Sequence, residues 1–209
     1  MILIGMYDSP FVRRVAVALR FYEMSYEHRP WSVFTDAAEI ARLNPLIRVP
    51  VLVLDDGTSL MESGAILDYL DQQVDPTKVL IAQAGDARRD ALRGMALATG
   101  LAEKAVSLVY EQVLHDPVSP AWSMRCTGQI MAVLDVLEAE LRCRANPYWF
   151  GDAIGHADIV LACAHRFTFE AHPALRDVGR WPTLAWHAAG CEALEPFRAV
   201  TQCFSPPSR

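Results

Sequence analysis

The sequence predicts an α+β N-terminal domain built on a mixed four-stranded sheet, followed by an all-α helical domain. Three observations predict it. Short apolar runs alternate with helical stripes through the first third, an Asp56-Gly57 pair sits between two apolar runs, and beyond Asp75-Pro76 the apolar patterns keep helical spacing.

Ile2, Leu3 and Ile4 form a run short enough for a buried strand, and it stops at Tyr7-Asp8-Ser9. Ser9 stands where an N-cap belongs and Pro10 at the first helical position, after which Phe11, Val12, Val15, Leu19 and Tyr22 recur on one face. Residues 26–31 have weak strand character. Asp36 and Glu39 have capping-box spacing ahead of Ile40 and Leu43, which predicts a short second helix. Residues 51–54 and 58–61 flank Asp56-Gly57, a hairpin signal because these two residue types accept the positive φ of a tight turn. Ile66, Tyr69, Leu70 and Val74 then mark a third helix, starting just after Glu62-Ser63. These elements make a first domain of residues 1–78.

From Ala91 through Met95, Ala98, Ala102, Ala105 and Val109 to Val113, a three-or-four spacing predicts one long helix, with Gly94 and Gly100 as candidate kink points. Asp116-Pro117 and Ser119-Pro120 mark a turn and a restart. Ile130, Leu134, Leu137 and Leu141 continue a second helix, and residues 159–169 and 184–189 predict at least two more. The second domain is residues 85–209, with a linker between the two and a loose Ser205-Pro206-Pro207 tail.

Apolar residues make up 52% of the chain and charged ones only 21%, enough for a sizeable core. A net charge of −6, with basic residues adjacent only in pairs such as Arg13-Arg14 and Arg88-Arg89, speaks against a nucleic-acid partner. No apolar stretch approaches the ~18 uncharged residues of a membrane span, and no basic segment precedes the apolar start, so the expectation is a cytoplasmic protein without a membrane partner. Cys126, Cys143, Cys163, Cys191 and Cys203 lack Cys-x-x-Cys spacing and are expected to be buried, reduced thiols. His156, His165 and His172 show no metal-ligand pattern, so no metal is expected.

Three segments carry chemistry. In Tyr7-Asp8-Ser9-Pro10-Phe11-Val12-Arg13 a strand end runs into a helix N-terminus, where a hydroxyl and the positive end of the helix can together favour an anion. Asn44-Pro45-Leu46-Ile47-Arg48-Val49-Pro50-Val51-Leu52 is a loop with a proline at each end, leading into a strand. Glu62-Ser63 opens a helix, whose N-terminus favours an anion.

In this order and spacing the three segments resemble the glutathione S-transferase family of cytosolic type, in a bacterial-like serine variant. A further likeness lies at Phe150 to Ile159, where Gly155 takes the N-cap place and Asp158 the N3 place of a capping box. The resemblance implies a thioredoxin-like first domain that binds glutathione as co-substrate. Ser9 is then the catalytic residue that makes the thiol anionic, with Tyr7 as its rival. By the same resemblance the Val49 backbone pairs with the cysteinyl part, Pro50 is cis, Arg48 approaches a glutathione carboxylate, and Glu62 and Ser63 hold the γ-glutamyl end. Ile47 departs from the glycine common at its position. Tyr110, Trp122 and Phe167 are candidates for the second-substrate pocket, because such pockets favour aromatic walls.

The expected function is transfer of glutathione to a small electrophile. Glutathione-dependent isomerisation or dehalogenation, and a non-catalytic protein-binding module of the same fold, are the alternatives. A homodimer is implied by the resemblance alone.

Overall fold

The computed structural model describes residues 1–177 and 179–207. Contacts divide the chain into two compact units. The first is Met1–Leu80 with Leu194–Gln202, and the second is Ile81–Ala193 with the residues from Cys203 to Pro207.

In the first unit the order is β1 (Ile2–Ile4), α1 (Pro10–Phe21), β2 (Glu27–Arg29), α2 (Ala37–Ala41), β3 (Val51–Val53), β4 (Ser59–Met61) and α3 (Ser63–Asp71). The strands lie in the order β2-β1-β3-β4, with β1 parallel to β2 and antiparallel to β3, and β3 antiparallel to β4. The α+β, mixed four-stranded expectation is met. Hydrophobic burial drives this assembly: Leu3, Ile4, Val12, Val15, Leu19, Ile40, Val51, Leu52, Ile66 and Leu70 are fully buried, each worth roughly 1.5–3 kcal/mol on transfer from water.

Local signals set the element ends, with one exception. Ser9 caps α1 as expected, its Oγ accepting from the Val12 N–H at 3.4 Å. Asp36 stands at the N-cap of α2 but makes no side-chain cap. Its Oδ2 instead accepts from the Ser32 N–H and the Thr35 hydroxyl, both at 2.8 Å, so a tighter preceding turn outcompetes the capping box. The hairpin closes around Gly57, whose φ of 86° explains the Asp-Gly signal.

The second unit is helical: α4 (Gly85–Leu114), α5 (Pro120–Arg142), α6 (His156–Ala171), a 3-10 turn (Pro173–Leu175) and α7 (Pro182–Glu192). α4 packs against α5 and α6, and α6 against α7. α4 runs unbroken for 30 residues through both glycines. Gly94 is a packing device: a Cβ there would lie 2.9 Å from the Phe150 ring and 3.1 Å from Trp149. Asp158 accepts from the N–H groups of Gly155 and Trp149, each at 2.9 Å, so it caps α6 from N3 although Gly155 offers no side chain. Of the five thiols, Cys126, Cys163 and Cys191 are buried, whereas Cys143 and Cys203 are exposed because both follow the end of a helical segment.

One short helix, α8 (Glu195–Arg198), follows α7, and its segment belongs to the first unit. Buried Arg13 on α1 holds it, donating to the carbonyls of Phe197 and Val200 at 3.1 Å each.

Candidate functional site

The turn from β1 to α1 is fixed from three sides. Gly5 has a φ of 124°, and a Cβ on it would lie 2.5 Å from Val12 Cγ2 and 2.8 Å from Val49 Cβ. Only glycine fits, and the same close approach brings the β1–α1 turn against the loop that ends at Pro50. His28 Nε2 meets the Gly5 carbonyl at 2.8 Å, and Gln202 Oε1 accepts from the Tyr7 N–H at 3.0 Å. The C-terminal return of the first unit therefore ends on this turn.

Tyr7 and Ser9 have different surroundings. The Tyr7 ring stacks on His28, with centroids 3.8 Å apart and planes 3° from parallel. Its hydroxyl lies 2.8 Å from that of Tyr26. Burial, then the Tyr26 hydroxyl, pushes the Tyr7 phenol well above its ordinary range. Ser9 Oγ accepts from Val12 N–H, and this use of a lone pair leaves the hydroxyl hydrogen available for donation. The first turn of α1 carries no acidic side chain, so the positive end of the helix keeps its pull on an anion.

The Val49-Pro50 bond is cis, as the resemblance implies. The loop before it is braced by Asn44, which is 1% exposed: its Oδ1 accepts from the Leu46 N–H at 3.0 Å and its Nδ2 donates to the Arg48 carbonyl at 2.9 Å. Ile47 adopts a φ of 51°, the left-handed region that a β-branched residue avoids and glycine accepts.

Glu62 precedes α3 with a φ of 66° and makes no side-chain cap. Its carboxylate meets Arg48 Nη1 at 3.3 Å, an ion pair about half open to water. Arg48 and Glu62 are thus brought together. Ser63, at the first position of α3, is buried, and its Oγ accepts from Arg14 Nη2 at 2.5 Å.

The three aromatic candidates fall on three helices of the second unit. Tyr110 on α4 and Trp122 on α5 are each 38% exposed, with Lys104 Nζ 5.9 Å from the centre of the Trp122 ring. Phe167 on α6 is buried, edge-on to Phe204 at 5.4 Å. Among the described residues no group of three His, Cys, Asp or Glu side chains is placed to hold a metal ion, and no helix is long and apolar enough to cross a membrane.

Sequence reasoning missed Arg14, Asn44, Tyr26, His28 and Gln202 as parts of this site. Arg14 carried a signal: two adjacent arginines between Val12 and Val15 on an apolar helix cannot both face water. The partners of Tyr7 carried none, because they depend on the parallel register of β1 and β2 and on the return of the C-terminal segment.

Residues 3–78 match the family description "Glutathione S-transferase, N-terminal domain", and residues 120–189 match "Glutathione S-transferase, C-terminal domain". The chain is 30% identical to maleylacetoacetate isomerase of Pseudomonas aeruginosa over 82% of this chain and 86% of that one. It superimposes on a glutathione S-transferase of Methylobacterium radiotolerans in complex with glutathione sulfonate, with TM-score 0.89, 26% identity and coverage of 100% and 99%. It also superimposes on a glutathione transferase family member from Pseudomonas fluorescens with bound glutathione, with TM-score 0.80, 29% identity and 99% of both chains covered. With its thioredoxin-like first unit, its helical second unit and both family domains matched along its length, the chain belongs to the glutathione S-transferase family.

Proposed function

We propose that this protein is an enzyme that binds glutathione in its first unit and makes the thiol anionic for attack on a small electrophile. Ser9 donates its hydroxyl hydrogen to the sulfur, and the N-terminus of α1 stabilises the same charge. Lowering a thiol pKa of about 8.5 by about two units takes ~2.7 kcal/mol, within reach of one hydrogen bond and a helix end. The thiolate forms an S–C bond, the electrophile's leaving group departs with the bonding pair, and the thiol proton passes to solvent.

The Val49 backbone pairs with the cysteinyl residue in the shape set by cis Pro50. Ser63 donates to the γ-glutamyl carboxylate, and Glu62 accepts from its ammonium, sharing its charge with Arg48. Tyr110 and Trp122 offer exposed aromatic faces to the electrophile, while Phe167 acts through packing. The observation that carries the reading is Ser9 Oγ accepting from the Val12 N–H at the start of α1, which leaves its hydrogen for a ligand.

Isomerisation is the second reading, favoured by the Pseudomonas aeruginosa isomerase among the relatives. It uses the same thiolate as a reversible nucleophile. Steady-state assays with 1-chloro-2,4-dinitrobenzene and with maleylacetoacetate, each with glutathione, separate the two: turnover of the first alone supports transfer, turnover of the second alone supports isomerisation. Passage through immobilised glutathione without retention would point to the non-catalytic module. The protein is proposed to act as a homodimer, which sedimentation velocity tests.

A further inference from the structure

We infer that His28 is a positioning residue for Ser9: from β2 it fixes the turn that presents the Ser9 hydroxyl to the thiol. This inference rests on the glutathione reading above. The cap at the far end of the turn holds it only loosely, since Ser9 Oγ lies 3.4 Å from the Val12 nitrogen, beyond the roughly 2.7–3.2 Å usual for such a bond. The sheet does not hold it either. Ile4 pairs with Arg29 at the end of the β1–β2 ladder, and the Gly5 N–H still reaches the Arg29 carbonyl at 2.9 Å. A parallel ladder would next bring the Trp31 N–H to the Gly5 carbonyl. Trp31 instead folds back and donates to the Arg29 carbonyl at 2.8 Å, so the Gly5 carbonyl loses its ladder partner. His28 takes that place, with Nε2 2.8 Å from the Gly5 oxygen. A carbonyl only accepts, so Nε2 carries the proton.

The same ring is the platform for Tyr7. Side chains alternate along a strand, so Tyr26 and His28 stand on one face of this segment while Glu27 and Arg29 share the other, where they pair at 2.7 Å. The His28 ring stacks on Tyr7 with centroids 3.8 Å apart, and the Tyr26 hydroxyl lies 2.8 Å from that of Tyr7. His28 thus grips the turn twice, at the Gly5 carbonyl and at the Tyr7 ring, and both points precede Ser9 on the same short stretch of backbone. Gly5 has no slack to absorb a loss of this grip toward Val12 and Val49, whose side chains fill the space beside it. Removing the donor leaves the Gly5 carbonyl without this partner at the entrance to α1, and the turn relaxes with Ser9 on it. Phe at position 28 keeps the stack and removes the donor. Gln keeps a donor nitrogen at the reach of Nε2, and Asn brings it a bond short.

The test is ultraviolet titration of the bound glutathione thiol, read together with turnover of 1-chloro-2,4-dinitrobenzene at saturating glutathione. His28→Phe and His28→Asn should each raise the bound-thiol pKa by about one unit. Turnover should then fall about fivefold at pH 6.5 and stay within about twofold at pH 8.5, where the thiol is ionised in either protein, with KM for glutathione at pH 6.5 within about twofold. His28→Gln should keep the bound thiol within about half a unit of the unaltered protein. In a Ser9→Ala background His28→Phe should add less than about twofold at pH 6.5, because His28 acts through that hydroxyl. Lost turnover with an unmoved thiol pKa, equal thiol pKa in the Gln and Asn variants, or full additivity with Ser9→Ala overturns the proposal by reducing His28 to a general structural role. If His28→Phe does not fold, Asn against Gln carries the comparison: a raised thiol pKa confined to His28→Asn supports the proposal, and the same value in both overturns it. A thiol acidified equally in the unaltered protein and in all the His28 variants sinks the role of His28 alone. No glutathione binding, or no acidified thiol, in the unaltered protein sinks the glutathione reading and this inference together.

Discussion

Ser9 and Tyr7 stand two residues apart and differ in what already engages their hydroxyls. The Tyr7 phenol is held beside Tyr26 and pushed up by burial, and a phenol that clings to its proton is a weaker donor to an anion. Ser9→Ala is therefore expected to lower kcat/KM with 1-chloro-2,4-dinitrobenzene by about 100-fold, while Tyr7→Phe lowers it by less than about threefold. A larger loss for Tyr7→Phe would reverse the assignment. Ile47 offers a test without chemistry: its φ of 51° costs a β-branched residue energy that glycine does not pay, so Ile47→Gly should raise stability to urea by about 1 kcal/mol. At this scale the Ser9 cap was legible because serine, proline and an apolar stripe agree in sequence. The cis bond before Pro50 was legible only through family likeness, and the left-handed Ile47 was not legible at all, since neither leaves a local compositional mark.

Elements are placed by a few contacts that no single element encodes. Gly5 joins the β1–α1 turn to the loop before β3, with two Val side chains inside the space a Cβ would need. Gly5→Ala should destabilise the first unit by about 3 kcal/mol or more and weaken glutathione binding, measured by urea unfolding and titration calorimetry. In the second unit Asp158 joins three elements: besides its two backbone partners, it lies 3.1 Å from His187 Nε2 on α7. Arg144 donates to His187 Nδ1 at 2.6 Å, and an arginine can only donate, so the His187 proton sits on Nε2 and points at Asp158. Asp158→Ala should cost about 3 kcal/mol, read from the unfolding midpoint, with no effect on Ser9-dependent chemistry beyond loss of folded protein. The family likeness at Phe150 to Ile159 placed Asp158 at N3 of a capping box, and it caps from there. The same spacing at Asp36 led to a cap that does not form, because a local turn through Ser32 and Thr35 takes that carboxylate first.

Across the whole molecule the periodicities sufficed for class and order: alternating short runs for the sheet, long three-or-four stripes for the helices. They could not show that Leu194–Gln202 leaves the helical half and joins the first unit, since α8 is only 4 residues long and the segment is held by side-chain contacts distant in sequence, among them Arg13 to the Phe197 and Val200 carbonyls and Arg20 to Glu195. Global stability should also carry a histidine signature. Burial, then the Arg176 charge, holds the His165 imidazole down at about 4, against 6.5 when unfolded. Between those values the unfolded chain takes up a proton and the native one does not, so this contribution is complete above pH 6.5 and declines as pH falls toward 4. Urea unfolding at pH 7 and pH 5 should differ by about 2 kcal/mol from this group, and His165→Phe should remove that part of the slope. The proposed chemistry turns on the state of the glutathione sulfur at Ser9. Titration of its thiolate absorbance in the ultraviolet, bound to the unaltered protein and to Ser9→Ala, measures this directly. A bound-thiol pKa about two units below that of free glutathione, returning toward the free value in Ser9→Ala, is the expected result. A bound thiol that ionises as it does in plain buffer, or one equally acidified without the Ser9 hydroxyl, contradicts it.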